Sequence, residues 1–307
     1  MANTAVPQVP AKAALSRDRI AAPLLPKIWR FIRKWPLVPV TLLTLLVVGG
    51  VLAPVLSPHE PTYPDLLARG LPPMWLEGGT SVHPLGTDNI GRDVYSRLLY
   101  GARISLLVVS IATVSGLVVG TTLGLLAGYM GRHIDEVIMR IVDIWYSVPF
   151  IMVALILVVV FGKSTVMMMG LLALLAWTAY VRNVRAEVLT LKELDYVAMA
   201  RISGASTARI LIRHILPGVV NTITVIATLR VGQLILAESV LSFLGAGIPP
   251  PQPAWGVMVS DGRNFLATLW WISFIPGLAI FLVVMSFNFL GDWLRDKLDP
   301  RLRQLDR

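Results

Sequence analysis

Six stretches of mainly apolar residues recur along the chain, at about 37–56, 102–128, 136–161, 165–189, 217–242 and 269–290. Each is close to the ~20 residues an α-helix needs to cross ~30 Å of hydrocarbon. In that medium every backbone N–H and C=O must be paired within the protein. The repetition therefore points to an all-α integral membrane protein with six transmembrane helices. Composition agrees: 55% of the 307 residues are hydrophobic and 15% charged, against about 25% charged in soluble domains.

The formal net charge of +9 could suggest a nucleic-acid partner. Its distribution argues against one, because the basic residues fall in alternate connections, as membrane topology demands. With the amino terminus inside, the cytoplasmic pieces 1–35, 129–135, 190–216 and 291–307 carry 17 Lys/Arg, and the external pieces carry 5. Arg182 and Arg185, at the inner end of the fourth span, strengthen that bias. Both termini are thus expected in the cytoplasm, and membrane lipid is the expected surrounding. Four segments follow: a basic tail 1–35, a first helix with an external loop 36–98, a core 99–291, and a carboxy-terminal tail 292–307. The leader is too long and polar for a signal peptide, and no small-x-small cleavage site follows the first apolar run.

Several chemistries are excluded. With no cysteine there are no disulfides, thiolate metal sites or Cys nucleophiles. Gly162-Lys163-Ser164 resembles the end of a phosphate-binding loop, but the required earlier glycine is Leu157. Gly86 and Gly91 have the loop's glycine spacing, yet Arg92-Asp93 follows in place of Lys-Ser/Thr. The chain is not expected to bind nucleotide by itself. His59, His83, His133 and His214 are scattered, without HExxH or His-x-His spacing, so no metal site is expected. No catalytic constellation such as GxSxG is present either.

Charges at membrane depth are functional candidates by default. Arg230 and Glu238 lie in the fifth span, two turns apart and too distant to pair within the helix. With Gln233 they are candidates for lining a translocation path. The alternative is that each pairs with a neighbouring helix or subunit. Arg140 and Asp143 are expected to form a local i,i+3 ion pair. Pro149 is expected to kink the third span.

The polar connection 195–217, DYVAMARISGASTARILIRHILP, is the strongest functional signal. Residues 196–202 read as a short helix, interrupted at Gly204, where a positive φ is available. Ser206 or Thr207 can cap a second helix over 208–215, and Pro217 suits the first turn of the fifth span. The expected shape is a helix-bend-helix parallel to the membrane, presenting Arg201, Arg209, Arg213 and His214 outside the bilayer. A plain amphipathic helix on lipid headgroups is the alternative; the glycine break favours a shaped docking knob.

These residues resemble the cytoplasmic EAA loop of ABC importer permeases. Ala200, Gly204, Leu216 and Pro217 match its pattern, while Ala198 replaces Glu, Met199 replaces Ala and His214 replaces Ile. Further motifs are similar to those of dipeptide/oligopeptide permeases: His83-Pro-Leu-Gly-Thr-Asp88, Gly91-Arg-Asp93, Ser96 to Arg103, Glu238 to Gly245, Trp255-Gly256, Gly262-Arg263 and Phe287 to Arg301. The resemblance is best to the C-type subunit. It implies the type I, MetI-like permease fold in a bacterial inner membrane, and a non-catalytic role in a five-component importer. The partners it implies are a B-type permease, two cytoplasmic ATPases holding ATP and Mg, an external binding protein, and a peptide substrate. It also assigns ATPase contact to Ala200, Arg201, Gly204, Ala205 and Ser206, and further to Arg209, Arg213, His214 and Pro217. Nickel, glutathione or another small solute is the alternative cargo. An ion-coupled secondary transporter and a purely structural subunit are the rival classes.

Overall fold

The computed structural model describes residues 36–298; the basic tail expected at 1–35 and the end of the carboxy-terminal tail lie outside the described residues. The helices are α1 (Leu37–Val51), α2 (Ala53–Leu56), α3 (Val94–Met130), α4 (Arg132–Ser147), α5 (Phe150–Phe161), α6 (Thr165–Leu191), α7 (Asp195–Ile202), α8 (Thr207–Ile210), α9 (Leu216–Phe243), α10 (Trp255–Gly262) and α11 (Trp271–Leu298). A π-helical segment, Leu211–Ile215, joins α8 to α9 without interruption.

Four helical runs are long and apolar enough to cross a membrane: α3, α6, the continuous run from Thr207 to Phe243, and α11. Helices α4 and α5 together form a fifth candidate, bent by 83°. The sixth apolar segment is α1, which restarts after Leu52 as α2 with Pro54 in its first turn. The expected kink at Pro149 is thus a full break. Proline disfavours helical backbone at the residue before it, and Val148 is extended at φ −102°, ψ 127°. Neither piece matches the single span expected at 136–161. Helix α4 is amphipathic, and α5, with 12 residues, reaches only about 18 Å at 1.5 Å per residue.

The centre of the fold is the pairing of α3 with α6. Gly116, Gly120, Gly124 and Gly128 recur every fourth residue and so share one face of α3. A Cβ on Gly124 would sit 2.8 Å from the Val184 Cβ, and one on Gly128 2.7 Å from the Val188 Cβ. One on Gly120 would collide with the Trp177 carbonyl. Between membrane helices, where lipid is as apolar as any side chain, such close backbone approach supplies the packing energy. Helix α9 packs against α11 in the same manner, with Gly291 seated on Leu229 and Gly232 near Phe287. Helix α1 lies against α3 and α11.

Helix α4 is pinned to α6 by two ion pairs. Asp135 accepts from Arg185, and Asp143 accepts from Arg182 at 2.6 Å, with Arg182 also 4.4 Å from the Tyr146 ring centre. The local Arg140–Asp143 pair expected from spacing does not form. Arg140 instead meets Glu136 one turn earlier, at 3.5 Å, because Asp143 is drawn to the neighbouring helix.

Candidate functional site

The connection between α6 and α9 folds into a compact knob at the end of the bundle where α3 terminates. Helix α7 stops at Ile202, and Gly204 takes φ +77°. The Ala205 N–H then donates to the Ala200 carbonyl at 3.1 Å, closing the turn. The Ser206 hydroxyl caps the next helix by accepting from the Arg209 N–H at 3.4 Å. The bend and both capping positions therefore lie where the sequence puts them.

The second arm differs from expectation. It is no separate helix over 208–215 but the first turns of the run that becomes α9. Pro217 explains the π segment. A proline inside a helix removes one donor and crowds the carbonyl four residues back, and widening to i→i+5 bonding relieves both. The Leu216 N–H accordingly donates to the Leu211 carbonyl.

The knob has an apolar root and an exposed outer face. Val197, Ile210, Leu211 and Ile215 pack with Leu125, Tyr180, Val184 and Val188 from α3 and α6. Arg201 lies over the Tyr129 ring at 5.7 Å, and Lys192 donates to the Gly128 carbonyl at 3.1 Å, so the first arm and the residue at the end of α6 that leads into it are tied to the end of α3. The Tyr196 hydroxyl bridges the arms by donating to the His214 carbonyl. Facing outward are Met199, Ile202, Ser203, Gly204, Arg209 and Arg213, with Ile202 87% exposed. Among the named candidates, Ala200, Ala205 and His214 are half-buried in the root, while Arg201, Gly204, Ser206, Arg209, Arg213 and Pro217 are on the surface. Ala198, where the EAA pattern carries Glu, is exposed on the same face.

The path candidates on α9 separate into two environments. Arg230 donates to Gln233 at 2.8 Å, one turn away, and Gln233 is exposed. Glu238 is 0% exposed, held by the Ser242 hydroxyl at 2.7 Å and, more loosely, by Ser105 and Ser239. It does not fit a lining role in this conformation and acts as a polar tie between α3 and α9. The helix geometry gives the reason, since eight residues at 100° each leave the two side chains about 80° apart around the axis.

At the opposite end of α3, residues 57–93 and 244–270 form a second polar assembly that sequence reading did not anticipate. Asp88 caps its own turn, accepting from the Ile90 and Arg92 N–H groups at 3.0 and 2.9 Å. Its other oxygen accepts from Arg92 at 2.6 Å and Arg97 at 3.2 Å. Both arginines also reach Asp261 of α10, at 3.1 and 3.2 Å. Arg97 and Asp88 are each 2% exposed. Two indole N–H groups complete the assembly: Trp271 donates to the Thr87 carbonyl and Trp255 to the Leu98 carbonyl. Asp261 lies 164 residues from Arg97, so no local pattern could have paired them.

Apolar helices gathered around a tight α3–α6 pair, with a firmly rooted polar knob at one end, fit the membrane-spanning subunit of a transporter. The family model described as "Binding-protein-dependent transport system inner membrane component" matches residues 120–304, and the chain belongs to that family. It is 41% identical to the dipeptide transport system permease protein DppC of Escherichia coli (strain K12), over 93% of this chain and 97% of that protein. It is 44% identical to the glutathione transport system permease protein GsiD of Pectobacterium atrosepticum, over 74% and 75% of the two chains. A structure of inward-facing conformations of the MetNI methionine ABC transporter matches with TM-score 0.53 at 19% identity, covering 66% of this chain and 96% of that one, a likeness of fold. The chain is thus a multi-pass inner-membrane permease subunit of an ABC importer and not an enzyme, with a substrate-binding protein and an ATPase as the family's general partners.

Proposed function

We propose that this chain forms half of the translocation pathway of a di-/oligopeptide importer and is driven through the knob 195–215 by a cytoplasmic ATPase. The carrying observation is the knob itself: an apolar and basic face, unpaired among the described residues, on a root that runs directly into α9. On this reading the knob and both termini are cytoplasmic, and residues 57–93 and 244–270 face the external binding protein. A B-type permease supplies the other half of the pathway. Two ATPases, which carry ATP and Mg, each grip one permease knob. Coupling operates by alternating access between two global states, which nucleotide and loaded binding protein favour differently. Met199 and Ile202, with the basic Arg209 and Arg213, take the place of the acid missing at Ala198.

The test is Gly204→Trp in proteoliposomes containing all five components. A Cβ at Gly204 meets nothing within 4 Å, so only the φ of +77° opposes the substitution. That strain amounts to about 1–2 kcal/mol. The variant is expected to insert and assemble while losing peptide-stimulated ATP hydrolysis and uptake. Uptake at the wild-type rate would remove the docking role. Glutathione is the second cargo reading, favoured by the 44% identity to the glutathione permease. Mass spectrometry of the ligand that co-purifies with the cognate binding protein separates the two.

A further inference from the structure

The four histidines are scattered in sequence, yet two of them meet a carboxylate in space. His59 follows α2, His83 lies near the end of the long loop, and Asp93 caps the amino terminus of α3. The two imidazoles stack with ring centres 4.5 Å apart. Both present Nδ1 to the same carboxylate: His83 at 3.0 Å from Oδ1, and His59 at 4.0 Å from Oδ2. One donor atom from each of the three residues lies within 4.8 Å of the others. His83 and Asp93 are buried, at 8% and 2% exposure. The Nδ1 of His59 is itself buried and has no hydrogen-bond partner.

We propose that His59, His83 and Asp93 bind a divalent transition-metal ion of the zinc type. A hydrogen-bonded His83–Asp93 pair with His59 merely stacked upon it leaves one buried nitrogen unsatisfied, and buried polar atoms rarely stay so. An ion among the three donors satisfies it. Two imidazoles and one carboxylate suit zinc, whereas calcium and magnesium call for mostly oxygen ligands. Tetrahedral coordination with bonds near 2.0–2.1 Å sets donors about 3.3 Å apart. The site must therefore close by roughly 1–1.5 Å, and His59, with a side chain 35% exposed, has room to move.

The surroundings orient the carboxylate. Asp93 Oδ2 accepts from the Ser96 N–H at 2.7 Å and the Ser96 hydroxyl at 2.6 Å. Ser96 Oγ in turn accepts from the His59 N–H at 3.3 Å. This outer shell fixes the Asp93 carboxylate and anchors the backbone of His59 before an ion arrives. Bound metal would fasten both ends of the long loop to the first core helix, whatever solute the transporter carries.

The experiment uses the full-length chain without a polyhistidine tag, in lipid nanodiscs, titrated with Co2+ and then Zn2+. The expected result is one Co2+ per chain with the visible absorption of a tetrahedral site, displaced by one equivalent of Zn2+. His59→Ala and His83→Ala should each weaken binding by at least roughly 100-fold, the upper end of what losing an outer-shell partner alone costs. His133→Ala, on an exposed residue far along the chain, should change nothing. Zn2+ should also raise the wild-type unfolding midpoint progressively with concentration, and leave that of His83→Gln unmoved. Absent cobalt absorption, or absorption that persists in His59→Ala, would overturn the proposal and leave a stacked structural pair.

Discussion

The two ends of α3 treat charge in opposite ways. At the loop end, Asp88, Arg92, Arg97 and Asp261 satisfy one another, with Arg97 and Asp88 almost wholly enclosed. At the knob end, Arg209 and Arg213 stand on the surface beside exposed Met199 and Ile202. The first arrangement is closed by this chain alone. The second has a buried root and a face that nothing among the described residues covers. Charge enclosed within the subunit shapes it, and charge left on a rigid prominence stays available to a partner.

The comparison can be broken most forcefully at the closed end. Asp88→Ala leaves Arg92 and Arg97, the second almost wholly enclosed, to share Asp261 alone, and removing one partner from a buried ion network in this way costs about 3–5 kcal/mol. Thermal unfolding in detergent should show it, with reduced yield of the purified chain. If Asp88→Ala melts with the wild type, the network is not the fastening described. A smaller effect, of a different kind, is expected at the open end. Ile202→Ser removes an apolar side chain that is 87% exposed, so the unfolding midpoint should stay put. Affinity for the ATPase, measured by titration in nanodiscs, should fall by roughly tenfold, or about 1.4 kcal/mol. A destabilised Ile202→Ser with unchanged ATPase affinity would reverse the contrast. The smallest effect belongs to the region between. Arg230→Ala removes a cation bonded only to Gln233 among the contacts described. A change of a few-fold in uptake rate or peptide preference is expected, with assembly intact; loss of assembly would make Arg230 a structural partner of a neighbouring subunit.

What the sequence revealed follows from the range of each interaction. The bend at Gly204 and the cap at Ser206 are settled within a few residues, and both were legible. So were the apolar blocks, whose length answers to membrane thickness. Interactions that cross the chain were not. Asp143 leaves its i,i+3 neighbour Arg140 for Arg182, 39 residues away. Glu238 reads as a path residue until Ser105 and Ser242 enclose it. His59 and His83 look unrelated until the loop folds back. Two further features are legible in part. The fourfold glycine stripe on α3 announced a close helix contact by its spacing alone. Pro217 marked the first turn of the fifth span, though only the fold shows that the helix widens there and is continuous with the knob.

That continuation has a mechanical consequence. Residues 207–243 form one unbroken 37-residue rod. It packs closely on α11 where Leu229 and Gly232 meet Gly291 and Phe287. If the rod swings about that contact, roughly 35 Å of it lies on the knob side and 20 Å on the other, at 1.5 Å per residue. Such a lever trades travel for force. A broad sweep at the long arm becomes a shorter, stronger thrust at the short one.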